Sequence, residues 1–184
     1  MSDKTLDGLN VAILVTDGFE QSELQEPRGA LDEAGARTRV VAPKDGEVKG
    51  WKLKDWGDTV AVDVKLDAAR AEDFDALLLP GGVINPDSLR MQPAAVAFVK
   101  AFADAGKPIA AICHGPWTLI DAGAVKGRRM TSWPSLKTDL SNAGAHWVDQ
   151  EAVVDGNLVT SRNPDDIPAF NRAAIELFAR ARRH

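Results

Sequence analysis

The chain of 184 residues holds a single cysteine, which excludes both an intramolecular disulfide framework and a multi-cysteine zinc site. Histidine is almost as scarce: His114, His146 and His184 show no metal-ligand spacing, so neither a metal nor another cofactor is expected. Hydrophobic runs end at strand length, far short of the ~20 residues a spanning helix needs, and no membrane association is expected. Positive charge is not in excess either. Lys and Arg number 22 against 27 Asp and Glu, a formal net charge of -5, which leaves no electrostatic footprint for nucleic acid. The opening Met1-Ser2-Asp3-Lys4-Thr5 leads into no apolar leader, so no signal peptide is read and a cytoplasmic location is expected. Repeats, low-complexity tracts and linkers are also missing. What is present, 45% hydrophobic and 27% charged residues, suits one soluble globular domain over 1–184 with a substantial core. Residues 1–8 read as a flexible tail.

Strand and helix patterns alternate, predicting an α/β fold: a mostly parallel central sheet with helices on both faces and a small hairpin. Val11 to Val15 is a short apolar strand ending in Thr16-Asp17-Gly18. A helix is expected from Ser22 to Ala34, stopped by Gly35. Thr38 to Pro43 reads as a strand, and Gly46 to Val64 as a hairpin or pair of short strands. Ala76 to Leu79 is a buried strand running into Pro80-Gly81-Gly82, and Pro93 to Ala105 a helix with proline in its first turn. Ser135 to Ala143 looks helical. A hairpin around Asp155-Gly156-Asn157 spans Ala152 to Thr160, and a last helix runs from Asn163-Pro164 to about Arg182. The basic ending Arg180 to His184 suits that helix's C-terminus and needs no partner.

The most informative stretch is Ile109-Ala110-Ala111-Ile112-Cys113-His114-Gly115-Pro116-Trp117. Consecutive apolar residues mark a buried parallel strand, and Gly115-Pro116 opens a helix at once. Cys113 then lies on a tight strand-to-helix turn with the positive end of a helix aimed at its sulfur, a placement that favours the thiolate. Nucleophiles of serine hydrolases occupy a comparable turn. A free cysteine is ordinarily a small buried hydrophobe, but the adjoining His114, suited to exchange a proton near neutrality, and the glycine after it favour chemistry.

Ligands of such sheets collect beyond the carboxyl ends of the strands. There the first strand supplies Glu20 and Glu23, the next Gly81 and Gly82, and the third Cys113 and His114. A carboxyl beside a thiolate is pushed towards its neutral form and can donate to the sulfur; acids in a helix's first turn also suit the macrodipole. Gly81-Gly82 lets backbone N–H groups approach a ligand, as an oxyanion hole requires, or simply makes a turn. Asn85-Pro86-Asp87 is a cap or turn signature first and a carboxylate source second. Trp117 and Trp133 wall a pocket or pack.

Together these segments resemble the PfpI peptidase family, within the parkinsonism-associated deglycase superfamily of class I glutamine amidotransferase-like fold. The resemblance runs from Val11 to about Phe178. It rests on Phe19-Glu20-Gln21-Ser22-Glu23, Leu79-Pro80-Gly81-Gly82 and Ala111-Ile112-Cys113-His114-Gly115-Pro116. It is extended by Gly123 to Arg128, Asn142 to Ala145 and Val153 to Arg162. It implies that Cys113 is the nucleophilic, readily oxidised cysteine on a strained turn, that Glu23 hydrogen-bonds it, and that Glu20 is a second acid nearby. His114 matches a histidine that pairs with an acid from a neighbouring subunit, for which Asp87 is the choice, although the chain holds one extra residue between Gly82 and Pro86. Backbone N–H groups of Gly82 and His114 would form the oxyanion site. Trp117 replaces a commonly polar residue, so a narrower, more apolar pocket is expected. A homodimer or larger homo-oligomer is also implied.

The expected function is that of a stress-protective cysteine enzyme acting on reactive dicarbonyls or their early protein adducts. Cys113 would attack an aldehyde carbon to form a hemithioacetal, with Glu23 or His114 moving protons, and methylglyoxal would leave as lactate. The alternatives are a cysteine peptidase or amidase working through an acyl-enzyme, and an oxidative-stress sensor or chaperone in which Cys113 climbs to sulfinic acid.

Overall fold

The computed structural model describes residues 5–182. From the N-terminus, β1 (Asn10–Leu14) is followed by the two-residue β2 (Phe19–Glu20) and by α1 (Gln21–Glu33). Next come β3 (Arg37–Ala42), the pair β4 (Glu47–Lys52) and β5 (Asp55–Ala61), and the short β6 (Val64–Lys65). Then follow β7 (Ala76–Leu79), α2 (Ile84–Leu89), α3 (Pro93–Asp104), β8 (Ile109–Ile112) and α4 (Pro116–Asp121). The chain continues through β9 (Arg129–Met130), α5 (Lys137–Asn142), β10 (His146–Trp147), β11 (Val153–Asp155) and β12 (Leu158–Ser161), and closes with α6 (Ile167–Arg182).

The central sheet has the order β11-β12-β8-β7-β1-β3-β6, and within it only the β11–β12 hairpin pairs antiparallel. Its inner strands β1, β7, β8 and β12 are buried on both sides, and period-two alternation divides their residues between two cores. Val11, Ile13 and Val15 face the core shared with Leu24 and Leu31 of α1 and with Phe170, Leu177 and Phe178 of α6. Ala12 and Leu14 face the other, with Phe98, Val99 and Phe102 of α3, Leu119 of α4 and Leu140 of α5. Pro93 opens α3 where a missing N–H costs nothing.

The sequence pattern underestimated the small elements. β2, β6, α2 and the parallel β9–β10 pair are too short to show a period. The segment from Gly46 to Val64 forms the β4–β5 hairpin, and β4 also pairs with β2, through Phe19–Gly50 and Glu20–Trp51. The reading of 1–8 as a tail lies partly outside the described residues. Within them, Leu6 is fully buried and its N–H donates to the Ala34 carbonyl at 2.9 Å, so the chain is docked onto the core from that point. His184 also lies outside the described residues.

The chain order decides where a ligand fits. From β1 it steps to β3 and β6 on one side, then returns to β7 on the other side of β1 before going on to β8 and β12. The β1–β7 boundary is thus the switch point of the sheet, where connections diverge and leave a crevice at the strand ends.

Candidate functional site

Three strand ends meet at that crevice. Ser161 at the end of β12 accepts a hydrogen bond from the Cys113 N–H, while the Cys113 carbonyl accepts one from Trp133. Between these anchors Cys113 adopts a φ of 62°, a left-handed conformation unfavourable for a residue with a Cβ. The tertiary structure holds it there, and the result is a sulfur lifted out of the strand line towards the cavity.

The Cys113 Sγ lies 3.1 Å from Nδ1 of His114. The imidazole is clamped between two indoles, stacked on Trp133 at 5.7 Å between centroids and edge-on to Trp117 at 5.0 Å. This apolar setting desolvates the ring and lowers its pKa to about 4, so His114 is neutral at pH 7 and a weak base in the resting site.

Glu23 approaches from the first turn of α1 with no exposed surface. Its Oε1 accepts the Gly81 N–H at 2.9 Å, while Oε2 lacks an aligned hydrogen-bond donor. Burial, strengthened by repulsion from Glu20, raises its pKa to about 8. The protonated form of Glu23 is therefore favoured near neutrality, beside the Cys113 side chain. Pro27, four residues on in α1, has no N–H to offer the Glu23 carbonyl.

Glycine is needed where the walls come closest. A Cβ on Gly81 would meet Glu23 Oε1 at 2.6 Å and Cys113 Cβ at 2.7 Å; one on Gly82, whose φ is +77°, would meet the Gly18 carbonyl oxygen at 2.5 Å. The backbone N–H groups of Gly82 and His114 consequently reach the sulfur and favour its ionised form. They do not prevail. Burial, followed by the Glu23 charge, pushes the Cys113 thiol well above its ordinary value. This corrects the expectation that a helix end activates the resting thiol, since α4 has only six residues and desolvation outweighs its partial charge.

The cavity in front of the sulfur has a volume of about 440 Å³. Glu20, Glu23, Gly82, Cys113, His114 and Trp133 line it, with Trp51 and Leu53 of the β4–β5 hairpin, Val83 just before α2, Ile84 of α2, and Pro164. Gly81 stands behind this wall. Trp117 is not part of it: its Nε1 donates to Asp139 at 3.0 Å, its ring lies under the Arg90 guanidinium, and it supports the outer side of His114. The apolar character expected from Trp117 comes instead from residues of the hairpin and α2. Asp87 is exposed on α2, and no hydrogen bond or ion pair joins it to His114 among the described residues. Among those residues no group of three or more His, Cys, Asp or Glu side chains is arranged to hold a metal.

Asn85 is a positioning residue that sequence reasoning took for a turn signal. Fully buried, it accepts the Thr16 N–H at 2.7 Å and donates to the carbonyls of Pro80 and Gly81 at 3.1 and 3.2 Å. One side chain thus ties the end of β1 to the glycine turn after β7. Nothing in its sequence context distinguishes it from an exposed turn asparagine. Arg162 and buried Asp166 similarly brace the loop that carries Pro164.

These features coincide with a known group of proteins. The chain is 48% identical to general stress protein 18 of Bacillus subtilis (strain 168) over 172 residues, covering 92% of this chain and 98% of that protein. It is 45% identical to protein/nucleic acid deglycase 2 of Escherichia coli (strain K12) over 169 residues, covering 91% and 96%. The fold superposes on Drosophila melanogaster DJ-1beta with a TM-score of 0.83 at 30% identity, covering 93% of this chain and 91% of that one. The family model described as DJ-1/PfpI matches residues 9–177, and the chain belongs to the DJ-1/PfpI family.

Proposed function

We propose that this chain is a cofactor-independent cysteine enzyme that converts reactive dicarbonyls, free or freshly attached to proteins, into hydroxy acids. The observation that carries this reading is the contact of the Cys113 sulfur with neutral His114 at 3.1 Å, beside the protonated carboxyl of Glu23. A thiol, a base and an acid at one carbonyl-sized cavity are the groups that carbonyl addition and proton shuttling require.

With methylglyoxal, Sγ bonds to the aldehyde carbon while its proton passes to His114, and the carbonyl oxygen takes a proton to give a hemithioacetal. The Gly82 and His114 N–H groups stabilise negative charge on that oxygen as it forms. Removing the proton from the former aldehyde carbon and adding one to the ketone oxygen gives an enediol. Returning a proton to the former ketone carbon, with loss of the hydroxyl proton at the first carbon, leaves a lactoyl thioester. Water cleaves the C–S bond, releasing lactate and restoring the thiol. One carbon is oxidised as its neighbour is reduced, so the sum is methylglyoxal plus water to lactate with no external redox partner. For an adduct on an amine, sulfur displaces the nitrogen instead: the C–S bond forms, the C–N bond breaks, and the amine leaves with a proton. The names of the relatives, a stress protein and a deglycase, support this chemistry.

In Cys113→Ala, methylglyoxal consumption and lactate formation are expected to fall by roughly a thousandfold or more, to the uncatalysed level. Wild-type turnover in that variant would overturn the reading. A triad-type peptidase mechanism needs an acid on His114, and among the described residues none is hydrogen-bonded to it, which supports a dependence of that activity on a second copy. Homodimerisation is part of this proposal, with Asp87 as the acid that a neighbouring copy would bring.

A further inference from the structure

Glu20 has no structural task that accounts for it. It occupies the N-cap position of α1 yet makes no capping bond with its side chain. Its Oε1 accepts one long hydrogen bond, 3.4 Å from the Leu53 N–H, and no salt bridge among the described residues includes it. It is half-buried in the cavity wall. The wall around it is apolar, formed by Trp51, Leu53, Ile84 and Trp133, and among the described residues no Lys or Arg lines the cavity. Burial raises the Glu20 carboxyl above its ordinary value, opposed by the Leu53 N–H, but Glu20 is far less buried than Glu23, the other acid of the lining, and so is the carboxylate that the cavity presents to a ligand.

We propose that Glu20 is a specificity-determining residue whose carboxylate selects ligands bearing a cation next to the reacting carbon, namely dicarbonyl adducts of guanidinium or protonated amine nitrogen. The proposal rests on the dicarbonyl reading for its substrate class, and on the unpaired carboxylate for its charge preference. A guanidinium entering from the hairpin side can pair with Glu20 while lying against the Trp51 indole, and a planar delocalised cation suits both contacts. Neutral thiol adducts gain neither contact, and anionic products are repelled, which favours their release.

The charge preference is tested on Cys113 without turnover. Two thiol reagents with the same warhead and opposite charge, 2-aminoethyl and 2-sulfonatoethyl methanethiosulfonate, are reacted with the wild-type chain and with Glu20→Gln. The wild type is expected to react faster with the cation. The cation-to-anion rate ratio is expected to fall roughly tenfold in Glu20→Gln, the scale of losing one attractive and one repulsive contact that are both screened by solvent. An unmoved ratio overturns the proposal, including the case in which all rates slow together, because Glu20 would then act only through Glu23 and the thiol. In parallel, kcat/KM is compared for the methylglyoxal adducts of N-acetylarginine and N-acetylcysteine. Loss of the arginine preference in Glu20→Gln supports the proposal, and an identical loss on both adducts overturns it. If the wild type turns over neither adduct while the reagent ratio still collapses in the variant, the dicarbonyl reading fails and the cation site stands.

Discussion

Glu23 and His114 draw the chain's stability in opposite directions with pH. The Glu23 carboxyl rises from 4.5 in the unfolded chain to about 8, so the folded state binds its proton more tightly. That contribution is complete below about pH 4.5 and is lost as pH rises through 8. His114 falls from 6.5 to about 4; its contribution is present above 6.5 and is lost as pH falls towards 4. Glu23→Gln keeps the acceptor for Gly81 without the charge, so it is expected to flatten the alkaline limb. At pH 8.5 the variant should be more stable than the wild type by about 2 kcal/mol or more, read from denaturant unfolding at several pH values. Parallel pH profiles for the two proteins would show that Glu23 rests ionised. The same pair of values bounds the chemistry, with the base available above about 4 and the acid protonated below about 8.

The strand ends and the turns after them make the site out of ordinary elements. β8 ends in a left-handed cysteine, β7 in a glycine pair, and β1 in a loop that α1 follows with Glu23 on its inner side. Asn85 of α2 holds two of these ends at fixed spacing. In Asn85→Ala, the Thr16 N–H and the Pro80 and Gly81 carbonyls lose their partner in a buried place, at an expected cost of about 2–3 kcal/mol. Activity is expected to fall further than stability explains, because Gly81 carries the N–H that orients Glu23. Chemical denaturation together with methylglyoxal turnover checks both; an unchanged midpoint would show that water replaces the amide. The β4–β5 hairpin contributes in another way. Leu53, at a φ of 59° in its turn, is largely exposed at the cavity mouth while its N–H contacts Glu20. Substrate access and charge selection therefore share one element.

At the scale of the whole molecule, the sheet order places the crevice at the β1–β7 boundary, between two cores that fix the strands from both faces. Cys113, His114 and Glu23 line one cavity of a single chain, whereas among the described residues no acid is hydrogen-bonded to His114. Methylglyoxal turnover per chain is accordingly expected to stay constant across dilution below any assembly threshold, and to be within about twofold of wild type in Asp87→Asn. Any peptidase activity should fall with dilution and be lost in that variant. Specific activity across a protein-concentration series, matched with sedimentation, separates the two. Dicarbonyl turnover that disappears on dilution would show that the single-chain site is incomplete.

Much of this architecture was legible from periodicity and punctuation alone. Apolar runs before Thr16, Pro80 and Cys113 marked three strands, and their shared position at strand ends brought Glu20, Glu23, Gly81, Gly82, Cys113 and His114 to one place. Local sequence determines these features because strand period, glycine turns and proline starts are properties of neighbouring residues. The protonation states were another matter. Burial of Cys113 and Glu23 depends on chain segments distant in sequence, so desolvation opposes the activation that the helix end offers the thiol. Trp117 and Trp133 looked alike in the sequence, but packing put one behind His114 and the other in the cavity. Asn85 and Leu53 gained their places only when distant strands met. Sequence by itself determined the elements and the residues capable of chemistry; tertiary structure decided which of them are charged, buried or within reach, because desolvation and contact belong to the folded surroundings.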